Sequence, residues 1–343
     1  MIARTVAAGA VLTLLLSGCT DAGGGGELVF GEPTAGPRPE PMLAADCADL
    51  VPDRLLELSF DVPLFLVDAM ASELAEPGIP SAASVRTAGG VACEWSNGEP
   101  YAPGGANPDY VGLRVLALPA ATAEWERYGE GTGIIEPVVD ICARQTEPIV
   151  CTTTGLVRGT WIEAVAVGGS TVEGSLSATN MLVGAHGLMV AGGSPWLRPE
   201  ESAGPCDSLT DAAAVSAALA ADATYDPIAL GTTLAESAER RVGSTGCGIL
   251  VGDEFLAAVH VLPGGEWARA ELAGRTLGEP VTVDGLEDAV IGCDGGVCQL
   301  DALLRGSWVR IVAVETPDRA ARDTVLAVAS AVGGDPPAAT ASP

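Results

Sequence analysis

The sequence predicts an α+β protein built from two tandem homologous domains, each an antiparallel sheet with helices packed on one face and each stapled by disulfides. Three observations carry this expectation. A short pattern is written twice, as Cys151, Leu156-Val157-Arg158-Gly159-Thr160-Trp161-Ile162 and Val165-Ala166-Val167, then as Cys298, Leu303-Leu304-Arg305-Gly306-Ser307-Trp308-Val309 and Val312-Ala313-Val314. Spacing and identity kept together over such a length mark a repeated unit. The cysteines beyond Cys19 fall into two sets with the same order of long and short spacings, and helix-like and strand-like runs follow one another in the same order in both halves.

Taken in order, residues 1–18 are expected to be a signal peptide. Arg4 gives a minimal positive start, and Val6 to Leu16 form an apolar run too short to span a bilayer. Leu16-Ser17-Gly18-Cys19 then resembles the lipobox of bacterial lipoproteins, in which the cysteine thiol is acylated and the leader is cut just before it. The resemblance implies lipidation of Cys19, and two acyl chains hold a protein firmly at a membrane. Residues 19–41 contain Gly23 to Gly26 in a row, then Pro33, Pro37, Pro39 and Pro41. Such a stretch buries no core and is expected to be a flexible tether. Residues 335–343 read as a disordered tail in the same way.

The first domain is expected over 42–191. Cys47 leads into a helix over Pro52–Leu58, with Pro52 at a first-turn position. Strands follow at Val91–Trp95 and Val111–Leu118, then a short helix reaching Trp125, the close cysteine pair, the repeated hairpin, and a closing helix over Met181–Val190. Residues 192–205, with three prolines, form the linker. The second domain, 206–334, opens with Cys206 and a helix started by Thr210-Asp211. It continues with strands at Thr245–Ile249 and Phe255–Leu262, a short helix reaching Trp267, the second hairpin, and a helix around Thr324–Ala329. In each hairpin the glycine supplies the positive φ of a tight turn. After the turn, Ile162, Ala164 and Ala166 share one face with Val309, Ile311 and Ala313 as counterparts, and both faces are mostly apolar, as in strands covered on both sides. Glu163 and Arg310 occupy one place with opposite charge, which reads as a solvated position without a role.

Eight cysteines in an exported chain read as disulfides. Each half has two distant cysteines followed by two close ones. The repeat therefore pairs Cys47 with Cys93, Cys142 with Cys151, Cys206 with Cys247 and Cys293 with Cys298. Zinc is disfavoured, because neither half has two Cys-x-x-Cys knuckles.

The helix-start cysteine, Cys93-Glu94-Trp95, Gly285-Leu286-Glu287-Asp288-Ala289 and the two Gly-Thr/Ser-Trp hairpins resemble those of an actinobacterial cell-envelope lipoprotein family of unknown function. More distantly, they are similar to the extracellular sensor domains of mycobacterial serine/threonine kinases. The resemblance covers most of residues 47–334 and brings no catalytic residues.

Candidate chemistry is sparse. With 17 basic residues, all arginine, against 45 acidic ones, the net charge of −28 argues against nucleic acid and anionic lipid surfaces and favours cations or cationic peptides. His260 reads as a partly buried strand residue and His186 as a helix residue. Asp284, Glu287, Asp288 and Asp294 form an acidic group without the spacing of a calcium loop. Arg158 and Arg305 read as exposed turn residues, and Trp125 and Trp267 as helix-to-sheet packing. Val251-Gly252-Asp253-Glu254-Phe255 imitates a nucleotide-cyclising signature in a chain addressed outside the cytoplasm. No catalytic, cofactor-binding or metal-ligating residue is assigned. The expected protein is a lipid-anchored lipoprotein on the extracytoplasmic face of the cell membrane, a non-enzymatic ligand-binding or sensor-like module with an unknown envelope ligand or protein as partner. The alternative is a hydrolase using paired carboxylates on exported glycan or peptide substrates.

Overall fold

Local turn chemistry sets the strand pairing. Arg158 and Gly159 take φ of 49° and 81°, and Arg305 and Gly306 take 51° and 77°. Two successive residues at positive φ make the primed turn whose twist matches the flanking strands. The arginine shares the left-handed conformation with its glycine, so the turn asks more of the sequence than one glycine. Both arginine side chains are exposed.

The computed structural model describes residues 38–334 apart from 44, 102–106, 134–137, 144–147, 169–205, 210 and 276–277. Cys19, most of the expected tether, the expected closing helix Met181–Val190 with His186, the linker and the tail lie outside the described residues. The first half comprises α1 (Cys47–Leu50), α2 (Asp53–Ser59), β1 (Phe65–Val67), α3 (Ala69–Ser72), α4 (Ser81–Thr87), β2 (Val91–Ser96), β3 (Gly112–Leu118), α5 (Thr122–Thr132), β4 (Val138–Ala143), β5 (Val150–Val157) and β6 (Thr160–Val167). The second comprises α6 (Cys206–Leu209), α7 (Ala212–Leu219), β7 (Ala223–Pro227), α8 (Leu234–Val242), β8 (Thr245–Val251), β9 (Glu254–Leu262), α9 (Glu266–Glu271), β10 (Glu279–Pro280), β11 (Glu287–Asp294), β12 (Val297–Leu304), β13 (Ser307–Val314) and α10 (Ala321–Gly333).

The protein is thus α+β with two antiparallel sheets. The first runs β1-β2-β3-β6-β5-β4, and the second runs β7-β8-β9-β13-β12-β11 with β10 added at its end. The order of corresponding strands is the same. Strands β6 and β13 sit inside their sheets and alternate between two covered faces. On one face of the first sheet, Ile162, Ala164 and Ala166 pack with Leu50, Leu56 and Phe60 around α1 and α2. On the matching face of the second, Val309, Ile311 and Ala313 pack with Val215 and Leu219 of α7 and Val325 and Val328 of α10. The opposite faces share one core: Trp161 and Leu118 of the first sheet and Trp308 and Leu262 of the second meet Ala82, Ala83 and Val85 of α4 and Leu234, Ala238 and Val242 of α8. Helices therefore cover both faces, which corrects the expectation of one. The physical reason is the two-sided apolar pattern of β6 and β13, which needs a cover on each side.

Four disulfides join Cys47–Cys93, Cys142–Cys151, Cys206–Cys247 and Cys293–Cys298. The first and third tie α1 and α6 to β2 and β8. The other two link directly opposed residues of β4 and β5 and of β11 and β12. Such bonds belong to an oxidising, extracytoplasmic compartment. No helix among the described residues is long and apolar enough to cross a membrane.

Candidate functional site

The junction of the halves is fixed by helices that the sequence reading did not place. Helix α8 starts with a capping box: Thr233 Oγ1 accepts from Glu236 N, and Glu236 Oε2 accepts from Thr233 N at 3.0 Å. The Thr-x-x-Glu spacing at 233–236 was a signal that could have found it. Helix α4 starts at a proline and takes its cap from afar, because Glu73 Oε2 accepts from Ala82 N at 3.1 Å and Oε1 from Ser81 Oγ at 3.0 Å. Arg114 pairs with the same carboxylate at 2.6 Å, with both side chains buried.

Two arginines of the second half hold the first. Arg241 on α8 donates to Pro119 O at 2.6 Å and Ala120 O at 3.2 Å and pairs with Glu124 at 2.8 Å. Arg310 on β13 donates to Glu76 O at 2.9 Å and Gly78 O at 2.6 Å. Its other nitrogens face Asp301 in a fork, at 2.8 and 3.2 Å, and Asp301 also accepts from Trp308 Nε1 at 2.8 Å and Gln299 Nε2 at 2.9 Å. The solvated reading of Arg310 is corrected: its side chain is 0 % exposed. Asp301 answers the charge, and Thr154 takes the place of Asp301 beneath Trp161, accepting from its Nε1 at 2.7 Å. Glu163, opposite in sign, is half-buried rather than solvated.

At the junction of the halves lies a partly open cavity of about 240 Å³. The first half supplies Gly78, Ile79 and Ser84 to its wall, and the second supplies Glu239, Ser244 and His260 among others. The size is below that of most drug-sized ligand pockets, about 300–1,000 Å³, and suits a small molecule or one side chain of a partner. Burial, then the nearby Glu236 and Glu73 carboxylates, push the Glu239 carboxyl up to about 7, against the pull of Arg240. Burial, then the charge of Arg310, push His260 down to about 4, so its ring is neutral near pH 7. Glu236 is also on the wall, but its Oε2 is occupied by Thr233. Burial would raise Glu236, yet the hydrogen bonds from Thr233 and the Gly231 backbone hold it low. Ser244 Oγ is buried without a hydrogen-bond partner among the described residues. A second buried polar group lies within the first half, where Glu94 is 0 % exposed and burial drives it up to about 7, with Ser72 donating at 2.6 Å.

Stability against pH follows from these shifts. Glu94 and Glu239 have folded values above their unfolded one of 4.5, so their contribution is complete below 4.5 and lost as pH rises through about 7. His260 is depressed from 6.5 to about 4, so its contribution is complete above 6.5 and lost as pH falls through 4. We expect thermal melts from pH 4 to 8 to fall as pH rises, because the loss from the two acids outweighs the gain from the imidazole over that range, with His260→Asn steepening the fall.

Of the other expected residues, His260 reaches the cavity, and Trp125 and Trp267 lie in or against the shared core. Val251 and Phe255 flank the exposed β8–β9 turn at Gly252 and Asp253. The acidic group is split: Asp288 pairs with Arg269 at 3.4 Å, while Asp294 lies at the far end of β11. No three His, Cys, Asp or Glu side chains converge for a metal among the described residues. No protein-family model matches the chain, and no curated protein or solved structure matches it either.

Proposed function

We propose that the chain is a lipid-anchored lipoprotein of the cell envelope, and that its two halves are tandem copies of one α+β unit that bind a small ligand where they meet. The observation that carries the reading is the cavity at their junction, with the Glu239 carboxyl and the neutral His260 ring at its wall. A hollow with a few convergent polar groups and an apolar wall is the usual form of a small-ligand site. The four disulfides and the Cys19 motif support an extracytoplasmic, anchored setting, and the matching strand order supports the duplication. Cys19→Ala is expected to abolish incorporation of radiolabelled palmitate and to move the protein from the membrane pellet to the soluble fraction. A labelled, membrane-bound variant would defeat the anchoring part of the proposal.

A further inference from the structure

The cavity is polar in a way that the rest of the shared core is not. Strand register gives its counterpart in the first half: Cys93 corresponds to Cys247, and Leu118, opposite Trp161, corresponds to Leu262, opposite Trp308. By that register Glu239, Ser244 and His260 correspond to Val85, Gly90 and Leu116. Val85 is 0 % and Leu116 4 % exposed. A Cβ on Gly90 would run into Ala117 O, so this place is filled by its own backbone. One position is dry and closed; its equivalent is hollow and carries an acid, a hydroxyl and an imidazole.

We propose, resting on the ligand-binding reading above, that this hollow takes a small protonated amine with a short apolar body, its ammonium on Glu239 and its carbons against Ile79, Ile228 and Val261. The Glu239 carboxylate has no hydrogen bond or ion pair from the described residues. The nearby arginines are committed elsewhere. Arg240 donates to the carbonyls of Leu230 and Gly231, Arg310 to Asp301 and two carbonyls, and Arg114 to Glu73. An anion would meet Glu236, Glu239 and Glu73 without a free cation to hold it. A bare divalent cation wants several oxygens, and no such group converges among the described residues. An alkylammonium needs one carboxylate, an acceptor and an apolar wall, and the neutral His260 ring on the same wall supplies the acceptor. The net charge of −28 adds a long-range field that draws cations in.

Binding is linked to the Glu239 proton. The charges that act on that carboxyl are Glu236 on its own helix, Glu73 across the junction and Arg240, while His260 on β9 shares the cavity wall and feels Arg310. Since Glu239 titrates at about 7, affinity for an ammonium is expected to rise about tenfold from pH 6 to pH 8.

The test uses the detergent-solubilised full chain with ring-labelled histidine, titrated with n-butylammonium and with neutral n-butanol. The His260 resonance is the probe. Saturable shifts with n-butylammonium, a dissociation constant of about 1–10 mM, tighter binding at pH 8 than at pH 6, and weakening of about tenfold in Glu239→Gln with n-butanol unaffected support the proposal. The pH series on the unaltered chain needs no variant, so it decides the matter even where Glu239→Gln fails to fold. If n-butanol binds as well as n-butylammonium at both pH values, the ligand class is overturned while the cavity stands as a binding site. If neither probe moves His260, the ligand-binding reading falls with it.

Discussion

Arg310→Ala is expected to lower the stability of the protein by about 3–5 kcal/mol, the cost of leaving one partner of a buried ion pair alone. The side chain is 0 % exposed and Asp301 6 %, so water does not rescue the abandoned carboxylate. The same change strips donors from Glu76 O and Gly78 O, which belong to the other half. Urea unfolding followed by far-UV circular dichroism would measure it. Replacing the pair together, as Arg310→Met with Asp301→Leu, is expected to restore only part of the loss. It removes the stranded charge, but the two carbonyls and Trp308 Nε1 stay unpaired, at about 1–3 kcal/mol for each buried group left so. A variant with Arg310→Ala as stable as the parent would mean that this arginine holds nothing together.

Removing the Cys47–Cys93 bond by paired alanine substitution is expected to cost about 4 kcal/mol, from the loop-closure entropy of 46 residues. Removing Cys293–Cys298, which closes 5 residues, is expected to cost nearer 2 kcal/mol. Strands β11 and β12 remain hydrogen-bonded without their bridge, whereas α1, with only four residues, depends on its bridge to stay on β2. Against a usual net stability of about 5–15 kcal/mol, the larger loss is enough to threaten the first half. Denaturant midpoints of the two double variants under non-reducing conditions give the comparison, and equal midpoints would contradict it.

What could be read from the chain was local. The Arg-Gly hairpins, the alternation of β6 and β13 and the order of cysteines depend on residues close in sequence or on spacing repeated between halves. The acid in Leu300-Asp301-Ala302 was a neglected clue: it stands in an otherwise apolar run, on the face of the tryptophan, and accounts for Arg310 without solvent. Helix α4 was harder, because its cap is Glu73, nine residues before Ala82. The cavity was not legible at all. It exists because Gly78 and Ile79 of one half come up against His260 of the other, a contact set by packing across the shared core rather than by any segment's own pattern.

The unlike fate of the two corresponding positions bears on stoichiometry. Two identical subunits meeting about an axis would carry two equal hollows or none. Written as one polypeptide, the pair is released from that constraint: Val85, Gly90 and Leu116 can plug one place while Glu239, Ser244 and His260 keep the other open. On the binding proposal above, one molecule would take one guest at this junction.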